Sequence, residues 1–164
     1  MLRYSSADAL RHHVRELLAS PHAHVTLEQA LAGLPVKLRG AKPPGQPHTL
    51  WRLLEHMRLA QWDILEFSRS ADHRSPAWPE GYWPEGDAPP DSGAWDRSVS
   101  ALDRDLETFL ALVDDPDSDL FAPLPWGKGQ TLLREALLIA DHNAYHVGQM
   151  VALRQLLGSW PPAS

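Results

Sequence analysis

The sequence contains no cysteine, which excludes disulfides, thiolate zinc sites, iron–sulfur clusters and a protein-borne catalytic thiol together. Any thiol that reacts on this chain must come from outside it. Basic residues are in deficit: Lys and Arg total 15 against 21 Asp and Glu, a formal net charge of -6. That is the wrong sign for binding dominated by the phosphates of DNA or RNA. No apolar run approaches the roughly 18 residues that span a bilayer. The stretch from Met1 through His12 and His13 to Glu16 lacks the uninterrupted apolar segment of a secretory signal. The expectation is a soluble, cytoplasmic protein with neither nucleic acid nor membrane as partner. No internal repeat and no convincing period-two alternation occur, so sheets are not expected. What is present is ordinary: 43% hydrophobic and 22% charged residues over 164 positions fit one globular domain, 1–164, with a normal core.

Proline, at 15 residues, divides the chain, because within a helix it removes a hydrogen bond and clashes with the preceding turn. Pro21, Pro35, Pro43, Pro44 and Pro47 fill one connection; Pro76, Pro79, Pro84, Pro89 and Pro90 a second; Pro116, Pro123 and Pro125 a third. The proline-free stretches, roughly 5–20, 49–71, 91–114 and 130–158, carry helical hydrophobic spacing and predict four helices. Thr49 is the expected N-cap of the second and Asp91 or Ser92 of the third, while Gly158 ends the fourth. Thr26 with Gln29 resembles a capping box for a short extra helix over 27–31. The fold class is therefore all-α, a four-helix bundle with long loops and a short extra helix. The connection between the second and third helices is long and rich in aromatics (Trp78, Tyr82, Trp83), which suits a segment that covers a site.

Polar groups interrupt an otherwise apolar helix face. The fourth helix aligns Leu132, Glu135, Leu138, Ile139, His142, His146, Gln149, Met150 and Leu153 on one side. A buried imidazole or carboxylate is costly unless bonded or ligated. His142 and His146 stand four apart, which lets both reach one metal ion. His56, at the edge of the stripe Leu50, Leu53, Met57, Ala60, Ile64 and Phe67, points inward; Glu55 turns to the polar side and is left out. The alternative is that these are satisfied core or surface histidines. As ligands, His56, His142 and His146 would make a three-imidazole site for zinc, nickel, iron or manganese with an open position. No histidine has Asp or Glu three residues before it and no His-Glu-xx-His occurs, which excludes bundle di-iron and zincin-type sites.

Around the trio, Tyr145 and Gln149 fall near the inward face as candidates to orient ligands or substrate, and His48 could reach the mouth of the site. Glu135 and Asp63 complete the candidate pocket. His12, His13, His22, His24 and His73 are expected on exposed faces or loops, and the tryptophans as core or loop anchors. Leu133, Leu137, Ala140, Val147 and Val151 make the back of the fourth helix apolar too. That predicts a homodimer, unless the first helix and residues 21–47 cover this face within the chain.

Leu53-Leu54-Glu55-His56-Met57 and Asp141-His142-Asn143-Ala144-Tyr145-His146-Val147-Gly148-Gln149 together resemble the DinB-like (YfiT-like) superfamily over nearly the whole chain. The resemblance implies a four-helix bundle, often dimeric, with a metal-binding triad at His56, His142 and His146. It also implies the chemistry of characterised members, bacillithiol S-transferases and mycothiol-dependent maleylpyruvate isomerases, in which the metal binds the thiol of a small cofactor. The leading expectation is thus a divalent-metal-dependent thiol S-transferase, or a thiol-dependent transferase or isomerase, acting on a small electrophilic substrate with a low-molecular-weight thiol. The alternatives are a hydrolase using metal-bound water, favoured by activity without added thiol, and a non-catalytic, stress-associated metal-binding protein. The last would be marked by a fourth protein ligand such as His48 or Glu135.

Overall fold

The computed structural model of the protein describes residues 6–21 and 23–162; His22 lies outside the described residues. Among these the regular elements are helices: α1 (Ser6–Ala19), α2 (Leu27–Leu31), α3 (Leu50–Arg69), α4 (Ala94–Asp114) and α5 (Leu132–Leu156), and no strand occurs. The fold is the all-α bundle expected. The four proline-free stretches are its long helices and α2 is the short extra one.

Local chemistry sets the helix ends. Thr26 and Gln29 form a reciprocal capping box, each side chain accepting from the other's backbone N–H. Thr49 Oγ1 accepts from Arg52 N at the start of α3 and Thr131 Oγ1 from Arg134 N at the start of α5. Gly158 adopts φ 66° just past α5, the left-handed conformation that ends a helix and that glycine takes without steric cost. The start of α4 differs from expectation. Its N-cap is Gly93, and Asp91 Oδ1 accepts from Gly93 N (2.8 Å). That bond bends the chain two residues earlier, so neither Asp91 nor Ser92 caps the helix.

Two apolar clusters fill the bundle. One gathers Leu50, Leu53, Leu54 and Met57 of α3, Trp95 and Leu102 of α4, and Val147, Met150 and Leu153 of α5. The other gathers Ile64 and Leu65, Phe109 and Val113, and Leu132, Ala136 and Ile139 from the same helices, with Val14 of α1. The first halves of α3 and α4 share one cluster and their second halves share the other, so α3 and α4 run parallel while α5 runs against both. A parallel pair needs a return path. The 20-residue α3 is about 30 Å long at 1.5 Å per residue, and connection 70–93 must retrace that length along the bundle. The long loop is a geometric consequence of this topology.

The second apolar face of α5 is covered within the chain. α1 and α2 pack on α5; Val147 is buried, Val151 and Leu133 are partly buried against the clusters, and Leu137 remains 49% exposed. One cover was not anticipated. Arg154 is fully buried (0% exposed) and donates to the carbonyls of Ala30 (2.7 Å) and Ala32 (2.8 Å) at the end of α2. It also donates to Ser159 O, so one guanidinium satisfies carbonyls at the end of α2 that the helix itself leaves open.

Candidate metal centre

Between the two apolar clusters the bundle interior turns polar. α3 contributes His56 and Gln61 there, and the antiparallel α5 contributes His142, Asn143 and His146. His56 is 4% exposed and His146 is buried beside it. The ring centroids lie 4.9 Å (His56–His142), 4.7 Å (His56–His146) and 4.4 Å (His142–His146) apart. One ligand-capable atom from each of the three lies within 4.8 Å of the others, so the group could hold a metal ion.

The hydrogen bonds around the rings dictate where protons sit. His56 Nδ1 is 2.9 Å from the carbonyl of Tyr82, which can only accept, so Nδ1 carries the proton and Nε2 the lone pair. His146 Nδ1 likewise faces Gln149 Oε1 at 2.7 Å, leaving its Nε2 as a lone pair. His142 Nε2 lies 3.1 Å from His56 Nε2. Burial lowers the pKa of His56 and His146. It lowers that of His142 to about 4, with the other two imidazoles adding to the fall. All three rings are therefore neutral at pH 7, the state a metal ligand requires.

These residues fit a divalent transition metal. Two nitrogens each about 2.1 Å from one tetrahedral ion stand about 3.4 Å apart, near the 3.1 Å separation of the His56 and His142 Nε2 atoms. Three nitrogens, two already fixed as lone pairs by outer hydrogen bonds, could serve as the donor set of a three-imidazole site.

Connection 70–93 roofs this centre, as its aromatic content suggested. Trp83 stacks on His56 with centroids 3.9 Å apart and planes at 2°, and Tyr82 supplies the carbonyl that holds His56. The roof is tied to the start of α3 by Arg52 Nη1 donating to Pro84 O (2.9 Å) and Thr49 Oγ1 donating to Asp87 O (2.6 Å). Further along, Tyr82 OH donates to Asp63 Oδ2 (2.6 Å) and His73 Nε2 to Asp63 Oδ1 (2.7 Å). Asp63 is thus an anchor of the roof and lies outside the histidine group. His73 is correspondingly half-buried, contrary to the expectation of an exposed position, because this carboxylate pairs its side chain.

The other candidates divide. Gln149 meets His146 as described. Tyr145 is 65% exposed, touching His146 edge-on at 5.1 Å; one residue before His146, it is rotated outward about 100° and does not join the inward face. Glu135 is buried at 2% exposure among Leu132 and Ala136 in the other cluster, where Arg134 Nη1 pairs it at 2.8 Å. It is not among the converging groups. His48 stacks on the far face of Trp83 (4.1 Å, 9°), so the indole separates it from His56. Glu55 turns to α4, accepting from Ser98 Oγ (2.6 Å) and Arg58, a half-buried position in place of the solvated one expected. His12, His13 and His24 are exposed.

Sequence reasoning passed over the amide pair Gln61 and Asn143, joined by an Asn143 Nδ2 to Gln61 Oε1 bond (2.9 Å). The available signal was an amide on the buried face of each histidine-bearing helix. Residues 22–150 match the family model described as the DinB superfamily. No curated protein and no solved structure matches the chain.

Proposed function

Because this chain belongs to the DinB superfamily, we propose that it is a metal-dependent enzyme. His56, His142 and His146 would hold a divalent transition metal, and a low-molecular-weight thiol would be transferred to a small electrophile. The observation that carries this reading is the convergence of three neutral imidazoles from two antiparallel helices, with His48 and Glu135, the candidates for a fourth protein ligand, placed elsewhere. A three-ligand set suits catalysis because it leaves a position for an incoming group. A divalent ion there supplies Lewis acidity, lowering the pKa of a bound thiol so that a thiolate is available at neutral pH.

The chain's own residues do the rest. Tyr82 O and Gln149 Oε1 hold two rings with their Nε2 atoms inward. Trp83 covers one face of His56 and keeps water from that side. With no cysteine in the sequence, the sulfur nucleophile comes from a diffusible cofactor. A homodimer would use the part of α5 that α1 and α2 leave open, around Leu137 and Tyr145; light scattering at micromolar concentration decides it, a monomeric mass counting against it.

Elemental analysis of protein purified without chelator or His-tag tests the centre. About one metal per chain in wild type and its loss in His56→Ala is expected. Wild type that neither carries nor takes up zinc, nickel or manganese overturns the reading. Turnover of an electrophile that requires added thiol and disappears with chelator supports transfer; turnover without thiol favours hydrolysis.

A further inference from the structure

Aiming a ligand nitrogen takes more than one contact. The torsion that turns an imidazole plane about its Cβ–Cγ bond has broad minima. The single hydrogen bond from His56 Nδ1 to the Tyr82 carbonyl (2.9 Å) leaves the ring room to tilt about the line between them. The Nε2 lone pair lies in the ring plane, so the plane decides where it aims. For His56 that plane is set by Trp83, stacked 3.9 Å away with the two planes 2° apart. The indole belongs to connection 70–93, and it directs the ring only if something holds it down.

His48 does so. Its ring lies on the opposite face of Trp83, 4.1 Å away and 9° from parallel. The result is a stack of three flat rings, His48, Trp83 and His56, that joins the residues just before α3, the roof and the second turn of α3. The backing ring is itself anchored. His48 directly precedes Thr49, the fully buried N-cap (0% exposed), whose hydroxyl accepts from Arg52 N (3.2 Å) and donates to Asp87 O (2.6 Å). Arg52 also lies over the Trp83 ring, 5.6 Å from its centroid. Placing His48 here has a cost, because its Nδ1 is buried without a hydrogen-bond partner among the described residues, a state that asks for a compensating contact. The indole face is that contact, and Trp83 cannot lift away from His56 without displacing His48.

We propose that His48 is a positioning residue of the metal centre: by backing Trp83 it fixes the plane of His56 and so the direction in which Nε2 meets the metal. The proposal rests on the three-histidine reading. It gives His48 a role that needs its flat ring and neither of its nitrogens, which sets it apart from a fourth ligand.

The test compares His48→Ala, which removes the ring, with His48→Phe, which keeps a flat ring and removes both nitrogens. Zinc affinity is measured by competition with a chromophoric chelator, and the visible d–d bands of the cobalt-loaded full chain report the ligand geometry. In His48→Ala zinc is expected to bind about tenfold to a hundredfold more weakly and the cobalt bands to shift. His48→Phe should restore both to wild-type values. A folded His48→Ala with wild-type zinc affinity and unmoved cobalt bands overturns the proposal. So does a His48→Phe as impaired as His48→Ala, which would assign the role to a His48 nitrogen. Should His48→Ala not fold, His48→Leu, which keeps bulk but lacks a flat face, is read against His48→Phe by the same two criteria. Wild type that binds neither zinc nor cobalt is a different result, which removes the three-histidine reading itself.

Discussion

A histidine in a helix bundle is neutral or charged according to what surrounds it, and here burial sets the direction for all three rings. His142 titrates near about 4 in the folded chain against roughly 6.5 when unfolded. Between those values the unfolded metal-free chain binds more protons than the folded one, so stability rises with pH across this window and is lost as pH falls through it. Urea unfolding of metal-free protein at a series of pH values should show that slope, and His142→Ala should flatten it. The same variant should lose about one equivalent of bound metal with its helical circular dichroism largely intact, as read by elemental analysis and spectroscopy. Helical spacing put His142 and His146 on one face of their helix and His56 on the inward edge of another, and the family resemblance joined the three. It could not place Tyr145, where a rotation of one residue separates an inward from an outward side chain, nor show that His73 would find Asp63.

At the scale of elements, the informative piece is the connection 70–93. It is held down at Tyr82 by the hydroxyl's bond to Asp63 (2.6 Å), and burial together with that carboxylate raises the Tyr82 pKa to about 12. Tyr82→Phe removes the bond and leaves the carboxylate short of a donor, for an expected loss of about 1.5–3 kcal/mol of folding free energy, measurable by chemical denaturation. It should also weaken metal binding, because the Tyr82 carbonyl that orients His56 loses its anchor. Arg154 works in the same manner for α2. Arg154→Met should leave the carbonyls of Ala30, Ala32 and Ser159 without their donor, lowering stability by about 2–5 kcal/mol, with hydrogen exchange fastest over residues 27–34. The helices and the capping box were legible because proline, glycine and threonine act locally. The roles of Asp63 and Arg154 were not, since an Asp or Arg on a helix reads as solvated until its partners from other elements are known.

For the whole molecule, a ligand that binds only the folded chain must stabilise it, by about 2.7 kcal/mol at a concentration 100 times its dissociation constant. Zinc or nickel should therefore raise the Tm of wild type and leave that of His56→Ala unmoved, as read by calorimetry. Among the described residues no helix is long and apolar enough to cross a membrane, in keeping with the short apolar runs. The sequence by itself determined the helical class, the division by proline, the want of a protein thiol and the inward face of each of the three histidines. All of these depend on residue type and on spacing within one helix, which are written in the chain. Only the tertiary structure decided that α3 and α4 run parallel, that 70–93 therefore folds back as a roof with Trp83 on His56, and that α1 and α2 cover the second face of α5. It alone joined Gln61 to Asn143 beside His142. Those outcomes depend on which apolar surfaces meet and which buried polar atoms find partners far along the chain, and no local pattern encodes either.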